Sequence, residues 1–290
     1  MIGNSAAEDY GRLIVQGADR PGIVSTVSSV LAEQGANIVA LDQSSSDPSS
    51  GRFFQRTVFH LAGLSAHLGE LNRALEQRLT DDLGLTYRLV EAKRRKRVAI
   101  FVSKADHCLL DLLWRQRRGE LLMNVPMVIS NHPDLGDDVR QFGIPFFHVP
   151  VAKDDKASAE KEQLNLLKGN VDLLVLARYM QIISGDFLDE LDVPVINIHH
   201  SFLPAFMGAG PYQRAKERGV KLVGATAHYV TEDLDEGPII EQDVIRVSHQ
   251  ESVRDLQRKG ADVERLVLSR AVAWHCDDRV IRDGTTTVVF

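Results

Sequence analysis

Three polar side chains in the carboxy-terminal half of the chain could polarise a carbonyl group and direct water onto it. Asn197 and His199 lie two residues apart in the segment NIH, and Asp235 follows in the segment LDEGP. An amide and an imidazole can donate hydrogen bonds to a developing oxyanion, and a carboxylate can orient water and accept its proton. Each residue alone is more often structural, because Asn and His satisfy backbone groups and Asp before Gly-Pro forms turns. Their combination predicts a centre for attack on a carbonyl carbon.

The predicted strand before these residues puts them at a ligand-binding edge. Val193–Ile196 is a short apolar run, typical of a buried parallel strand, and polar Asn197 follows it directly. Ligand sites in open α/β sheets gather where strands end, so we expect the site at this end of the strand. The elements predicted next are a loop with Pro204 and the small residues Gly208, Ala209 and Gly210, a helix over 211–218, and strands over 223–230 and 239–247 joined by the turn 235–238.

Two longer segments carry a family resemblance. The strings NIHHSFLPAF and GATAHYVTEDLDEGPIIEQDV resemble the core of the folate-dependent formyltransferase family, and the resemblance extends over residues 96–290. It implies that Asn197, His199 and Asp235 form the catalytic centre. The segment ARYMQIIS, residues 177–184, is similar to the strand-to-helix turn whose backbone receives the pterin ring in that family. The substrate-binding residues that the resemblance implies are Met180, Gln181, Ile183, His228 and Gly237.

The loop after the first strand of this domain indicates which molecule accepts the formyl group. RVAIFVS, residues 97–103, is similar to the family's first strand, which in glycinamide ribonucleotide transferases leads into a Gly- and Ser-rich loop whose amides cradle a phosphate. Here the loop reads KADHC, residues 104–108, with no glycine and with an added carboxylate. It is a poor phosphate cradle. The sequence therefore favours water as the acceptor, and hence hydrolysis.

The amino-terminal part predicts a separate small module. Its strands are predicted over 13–15, 37–43, 52–61 and 85–90, and a second helix over 64–79. The turn 19–22 contains a proline suited to a helix start, and helical spacing of apolar residues follows it from Ile23 to Leu31. This βαββαβ order is typical of a small α+β unit. The motifs DRPGI and GANI resemble the ACT domain, which commonly pairs across protomers and often binds small amino acids. The resemblance implies a homo-oligomer, a dimer or tetramer, with a possible amino-acid effector.

Together the two modules match the architecture of the formyltetrahydrofolate deformylase family. The predicted fold class is α/β. Residues 1–92 are predicted to form an ACT-like module with a βαββαβ, ferredoxin-like fold and a role in regulation or oligomerisation. Residues 93–290 are predicted to form a Rossmann-like catalytic domain with a mostly parallel sheet. The remaining predicted elements are strands over 125–129, 146–149 and 171–176, helices over 134–142, 157–167 and 253–274, and a hairpin at Asp283-Gly284 that closes with 287–290.

Composition excludes several other classes of function. A formal charge of −6 and a pI of about 5.9 argue against a nucleic-acid binder, and the basic run 93–97 is interpreted as a solvated linker. Cys108 and Cys276 lack metal spacing, and the histidines form no HExxH pair, so no metal is predicted. We predict a cytoplasmic protein for three reasons. It has only two cysteines, its first residues lack the apolar stretch of a secretory signal, and it has no apolar run of membrane-spanning length.

The predicted reaction is hydrolysis of 10-formyltetrahydrofolate to tetrahydrofolate and formate. Asn197 and His199 would polarise the formyl carbonyl and Asp235 would activate water, with folate as substrate and no cofactor. The alternatives are a formyltransferase with an amine acceptor, such as glycinamide ribonucleotide, and a non-catalytic ACT protein that senses amino acids. One departure bears on the site: the deformylase pattern GARPYH reads GAGPYQ here, so that Gly210 and Gln213 replace an arginine and a histidine.

Overall fold

The computed structural model describes residues 8–47, 49–152, 155–204 and 211–290. The chain divides into two compact units. The first unit runs to Arg95 and also includes Asp277–Ile281 and Val288–Phe290. The second unit comprises Lys96–Cys276 and Arg282–Thr287. Because the carboxy-terminal residues are shared between the units, the chain does not divide at a single point. The boundary predicted at residue 92 stays a prediction.

The first unit is a four-stranded antiparallel sheet with helices, in the predicted βαββαβ order. Its elements are β1 (Tyr10–Ala18), α1 (Ile23–Glu33), β2 (Asn37–Ser45), β3 (Arg52–His60), α2 (Leu64–Leu75), which continues as a π-helical stretch (Glu76–Asp81), and β4 (Thr86–Glu91). The strands lie in the order β2-β3-β1-β4. Apolar residues at helical spacing form the buried side of α1, as predicted, because only one side of an amphipathic helix meets the sheet.

Strand β1 is buried on both of its faces. Leu13 and Val15 point into the core formed with α1 and α2, whereas Ile14 packs with Phe54 and Ile281 on the opposite face. Since side chains alternate along a strand, two covered faces explain why this strand reads as a continuous apolar run. The residues Asp277–Ile281 therefore belong structurally to the first unit.

Buried ion pairs hold this carboxy-terminal segment on the sheet of the first unit. The side chain of Asp278 is fully buried, and its two carboxylate oxygens accept hydrogen bonds from Arg12 and Arg88. Arg12 also contacts Asp277 at 2.7 Å, and Asp277 accepts a further hydrogen bond from Arg56 at 3.1 Å. Burying such charges is favourable only when each charge has a partner.

Replacing Asp278 by asparagine should therefore destabilise the first unit. The amide keeps the shape of the side chain but has no charge and can accept from only one of the two arginines. We expect the free energy of unfolding to fall by about 2 kcal/mol, measured by urea unfolding with circular dichroism. The matched control is Asp137→Asn, because the Asp137 side chain is 94% exposed and its loss should change stability little.

The second unit is a mostly parallel sheet with helices, as predicted. Its elements are β5 (Lys96–Val102), α3 (His107–Arg117), β6 (Met123–Asn124), β7 (Val128–Ser130), α4 (Gly136–Gln141), β8 (Phe146–His148), α5 (Lys156–Leu167), β9 (Leu173–Leu176), α6 (Gly185–Leu191), β10 (Val195–His199), α7 (Pro211–Glu217), β11 (Leu222–Tyr229), β12 (Ile239–Arg246) and α8 (Val253–Cys276). Two further strands, β13 (Val280–Asp283) and β14 (Thr286–Val289), form the predicted hairpin, with Gly284 in the left-handed region at φ 59°.

The strand order reverses direction between β5 and β9, the position at which a ligand-binding crevice is expected. The main path of the sheet is β12-β11-β10-β9-β5-β7-β8, in which β8, β7, β5, β9 and β10 are parallel and β11 and β12 antiparallel. From β5 the chain proceeds to β7 and β8 on one side, and then returns to β9 and β10 on the other. A reversal of this kind leaves a ligand-binding crevice at the carboxyl ends of the two strands beside it.

For two of the predicted strands that begin later than the sequence pattern suggests, proline explains the later start. The run 125–129 was predicted as one strand, but the ladder of β7 starts only at Val128, after Pro126. The run from Val193 was predicted to end before Asn197, whereas β10 starts after Pro194 and continues through His199. Proline has no N–H for a ladder hydrogen bond, so it sits before a strand rather than within it.

None of the helices among the described residues combines the length with the apolar composition that crossing a membrane would require.

Candidate active site

Strand β10 presents two of the predicted catalytic side chains on one face. Asn197 and His199 are two residues apart within the strand, so their side chains point the same way. The neighbouring strand β11 runs antiparallel, and His228 lies directly opposite Asn197 in the register. The Nδ2 of Asn197 lies 3.2 Å from Nε2 of His228. The sequence predicted these residues beyond the end of a strand, but they belong to the strand itself, which fixes their directions more firmly.

The turn after β11 brings Asp235 to the same place. The turn folds back tightly, with the N–H of Tyr229 bonded to the carbonyl of Pro238 at 2.9 Å. Gly237 makes this possible, because a Cβ there would lie 1.8 Å from the Tyr229 carbonyl oxygen. Asp235 itself has φ 60°, a conformation that Asp tolerates better than most residues. Its Oδ1 lies 3.1 Å from Nδ1 of His199. Thus the structure brings Asn197, His199 and Asp235 together.

The environment of His228 fixes its tautomer. Its Nδ1 lies 2.9 Å from the carbonyl oxygen of Tyr229, which can only accept a hydrogen bond, so Nδ1 carries the proton. Burial lowers the pKa of His228, which favours the neutral ring. The unprotonated Nε2 then accepts one N–H of the Asn197 amide. As a result, the amide is oriented, and among the described residues its second N–H has no hydrogen-bond partner and can donate to a ligand.

The Asp235 carboxylate is held in its charged form. The hydrogen bond with His199 lowers the pKa of Asp235, and this effect outweighs the opposing effect of burial. With Asp235 ionised, Nδ1 of His199 must donate to it. The other ring nitrogen, Nε2, is buried and has no hydrogen-bond partner among the described residues. An unpaired buried polar atom is unfavourable, so Nε2 is the atom of this ring that a ligand would satisfy.

The predicted pterin-binding segment follows β9 at the same edge of the sheet. Met180 is 59% exposed and Ile182 is 61% exposed, whereas Ile183 packs against the core of the unit. The N–H of Met180 donates to Oγ of Ser103 at 3.0 Å, and Ser103 donates in turn to Oδ1 of Asn131 at 2.7 Å. Ser103 was not among the residues predicted to form the site. It could have been found, because it is a polar residue directly after the apolar run of β5.

The remaining predicted substrate-binding residues have identifiable structural roles. Gln181 is partly exposed beside Met180, and His228 orients Asn197. Gly237 is buried at the back of the tight turn. Contact of these residues with a substrate stays a prediction. The predicted small-residue loop at 208–210, including the replaced position Gly210, lies outside the described residues. Gln213 is exposed on α7 and donates to Glu217 of its own helix at 2.7 Å.

A second group of polar residues, for which no function was predicted from the sequence, lies beside His199. The ring of His200 stacks on that of His199 with centroids 5.3 Å apart, and Tyr212 packs against His200 at 6.1 Å. The Tyr212 hydroxyl donates to Oε1 of Glu264 at 2.7 Å, and Nε2 of His107 lies 2.7 Å from Oε2 of the same carboxylate. Glu264 is only 2% exposed.

Arg178 completes this group. Its Nε lies 3.4 Å from Oε2 of Glu264, and neither Nε nor Nη1 has a hydrogen-bond partner within the described ranges. We call His107, Arg178, Tyr212 and Glu264 the polar wall. Burial alone would raise the pKa of Glu264, but the hydrogen bond from His107 and the charge of Arg178 lower it to about 2.

Two residues of the polar wall, together with Cys108, form a candidate set of metal ligands, but the chemistry around them does not favour a metal ion. Ligand atoms of His107, Cys108 and Glu264 lie within 4.8 Å of one another. However, both Glu264 oxygens already have hydrogen-bond partners, and the Arg178 guanidinium would repel a cation. Burial raises the pKa of the Cys108 thiol well above its ordinary value, so the thiolate that metals prefer is disfavoured. The group is better described as a hydrogen-bonded cluster.

The burial of His200 predicts a dependence of stability on pH. Burial and the charge of Arg178 lower the pKa of His200 from 6.5 to about 4. The unfolded chain therefore takes up a proton between these pH values that the folded chain does not, and stability falls as the pH falls. With allowance for partial exposure of the ring, we expect His200 to account for a loss of about 2 kcal/mol over this range.

This dependence can be measured by urea unfolding at a series of pH values between 6.5 and 4. In the variant His200→Asn, which cannot titrate, the loss of stability on acidification should be smaller by about the same amount. His228 shifts in the same direction and should leave part of the dependence in place. Identical pH profiles for the two proteins would show that His200 is not held neutral by its surroundings.

Comparison with known proteins gives a consistent result for both units. Residues 96–272 match the family model described as formyl transferase, and residues 11–76 match the ACT domain. A formyltetrahydrofolate deformylase from Mycobacterium tuberculosis is 63% identical over 282 residues, which are 97% of this chain and 91% of the relative. One from Bacillus subtilis is 51% identical over 98% of this chain and 94% of the relative.

A solved structure extends the similarity to three dimensions. The crystal structure of a formyltetrahydrofolate deformylase from Pseudomonas syringae superimposes with a TM-score of 0.93 and 44% sequence identity. The match covers 97% of this chain and 94% of that one. Both the amino-terminal unit and the unit with the candidate site are therefore part of the shared architecture.

Proposed function

The chain belongs to the formyltetrahydrofolate deformylase family, and on that premise we propose that it hydrolyses 10-formyltetrahydrofolate to tetrahydrofolate and formate at the site formed by Asn197, His199 and Asp235. The members of this family are hydrolases that act on a formyl C–N bond. The observation that carries the proposal is the unsatisfied Nε2 of His199 beside an oriented amide and an ionised carboxylate.

The proposed oxyanion site uses two donors. Water adds to the formyl carbon, and the carbonyl oxygen becomes an oxyanion. The free N–H of Asn197 and Nε2–H of His199 donate to this oxygen. Because Nδ1 of His199 already donates to Asp235, the ring donates through both nitrogens only as the imidazolium, and the neighbouring carboxylate stabilises that cation. Preorganised donors of this kind each contribute on the order of 3 kcal/mol.

Asp235 would act on the attacking water. Its low pKa makes it a weak base on its own, so proton transfer must accompany the attack rather than precede it. The carboxylate orients the water, accepts its proton as the new C–O bond forms, and returns a proton to the folate nitrogen. The C–N bond then breaks, and tetrahydrofolate and formate leave. All the protons in this scheme come from the attacking water.

The segment after β9 would hold the folate. Exposed Met180 and Ile182 offer apolar contacts to the pterin and aryl rings, and the backbone around Gln181 offers hydrogen bonds. Ser103 anchors this segment through the N–H of Met180, which supports a preformed binding surface. The amino-terminal ACT unit would have a regulatory role, in which a small amino acid binds and two or four protomers associate. Recovery of tetrahydrofolate and supply of formate to purine biosynthesis would be the physiological result.

Formate release separates this reaction from its alternatives. Purified protein is incubated with 10-formyltetrahydrofolate in the presence and absence of glycinamide ribonucleotide, and formate and formylated amine are both measured. The proposal expects formate in both samples, at the same rate. A requirement for the amine would indicate a formyltransferase. No turnover, together with calorimetric binding of a small amino acid, would indicate a sensor.

A further inference from the structure

The polar wall lies on one side of the residues proposed to bind the formyl oxygen. Going outward from His199, the layers are the ring of His200, then the ring of Tyr212, and then the Glu264 carboxylate with its other partners. Asp235 occupies the edge of the same imidazole at Nδ1. A reactant that approached His199 from the side of His200 would therefore meet the packed side chains of these residues.

These layers fit closely against helix α8. Tyr212 is 7% exposed and Glu264 is 2% exposed. Gly260 lies in the middle of α8, where a glycine is unfavourable, and a Cβ at this position would lie 1.8 Å from the Tyr212 hydroxyl. The missing side chain is what admits the tyrosine. The sequence of α8 is thus adapted to a filled space beside the candidate site.

The backbone of Arg178 has a conformation that is unfavourable for arginine. Its φ is 63°, in the left-handed region where glycine is favoured, and neither Nε nor Nη1 makes a hydrogen bond to any of the described residues. Strain of this kind persists mainly where function requires the side chain. The guanidinium adds bulk at the carboxyl end of β9, and its positive charge lowers the local concentration of protonated amines, from which the neutral nucleophile forms. Both the bulk and the charge of the guanidinium act against an amine acceptor.

We infer that the polar wall excludes amine acceptors from the formyl group and leaves water as the acceptor. This inference rests on the proposed hydrolysis, which it explains. Transfer to an amine needs space for the amine nitrogen beside the formyl carbon and for the atoms that follow it, whereas water needs no further space. A chain with the same Asn197, His199 and Asp235 but an open wall would accept both reactants.

The reaction in an opened site balances in the same way as hydrolysis. A neutral primary amine attacks the formyl carbon, and Asp235 accepts one amine proton. The bond between the formyl carbon and the folate nitrogen breaks, and that nitrogen takes the proton. The products are an N-formyl amine and tetrahydrofolate, without any change in oxidation state.

The test opens the wall in two independent ways. Tyr212→Ala removes a ring from the wall, and Arg178→Gly removes the guanidinium while it suits the left-handed backbone. Each variant and the wild type are given 10-formyltetrahydrofolate and millimolar glycinamide, and N-formylglycinamide and formate are quantified by mass spectrometry. We expect the ratio of N-formylglycinamide to formate to rise at least about tenfold in both variants, because pocket size discriminates substrates by this order.

The matched control is Tyr212→Phe, which keeps the volume of the ring and loses only its hydroxyl. Its product ratio should stay at the wild-type value, and circular dichroism shows whether each variant is folded. An unchanged ratio in both opened variants would overturn the inference, as would a rise in Tyr212→Phe equal to that in Tyr212→Ala. If the wild type releases no formate, the proposed function itself fails. If all the proteins release formate without formylated amine, only the inference fails.

Discussion

Formate release by the variant Asp235→Asn should be about 10³ to 10⁴ times slower than that of the wild type. The amide is isosteric with the carboxylate, so the turn that ends at Gly237 should keep its shape. It cannot accept the proton of the attacking water, and it no longer stabilises the charged form of His199. Both proposed contributions of Asp235 are lost at once, which is why this substitution should have the largest effect of all.

Binding should distinguish a lost reaction from a lost site. Tetrahydrofolate should bind to Asp235→Asn about as tightly as to the wild type in a fluorescence titration, because the proposed folate contacts are on the segment after β9. The matched control is Asp233→Asn, since Asp233 is exposed two residues earlier in the same segment. It should leave the rate of formate release unchanged. Full activity of Asp235→Asn would remove the carboxylate from the mechanism.

The variant Asn197→Ala should lower kcat by about 10² to 10³-fold, with a smaller change in KM. The alanine removes one of the two donors to the oxyanion, which develops only during the reaction. It also leaves Nε2 of the buried His228 without the hydrogen bond that it accepts at 3.2 Å. Steady-state kinetics of formate release measures both constants.

A second asparagine provides the control for this substitution. Asn170 is exposed just after α5, and its side chain donates to the carbonyl of Leu166 in that helix, so Asn170→Ala should have wild-type kcat and KM. A rise in KM of Asn197→Ala without any change in kcat would show that Asn197 binds the ground state rather than the developing charge.

Hydrophobic periodicity predicted most elements because each of them is buried on whole faces. In α1 a single buried face and in β1 two covered faces produce patterns that the sequence shows directly. The ends of elements were predicted less well. Asn197 and His199 were placed after a strand because they are polar, but they extend β10 since their main chains pair with β11. The polarity of a side chain does not show where a strand ends, because the hydrogen bonds of a β-ladder are made by main-chain groups.

The polar wall shows where sequence patterns stop being informative. Glu264 lies among apolar residues of the predicted helix over 253–274, which is the only local indication that it is buried. Its partners His107, Arg178 and Tyr212 come from three distant segments, and no spacing rule joins them. That the loop 104–108 is a poor phosphate cradle stays a prediction, and the role of His107 as a partner of Glu264 depends on packing alone.

The most direct test of the proposed hydrolysis uses water enriched in oxygen-18. When the wild-type protein acts on 10-formyltetrahydrofolate in this solvent, mass spectrometry should find a single solvent oxygen in each formate molecule, formed in equal amount with tetrahydrofolate. Asp235→Asn should release labelled formate only at the background rate. The account would be contradicted by wild-type protein that forms no formate, or that forms it without solvent oxygen.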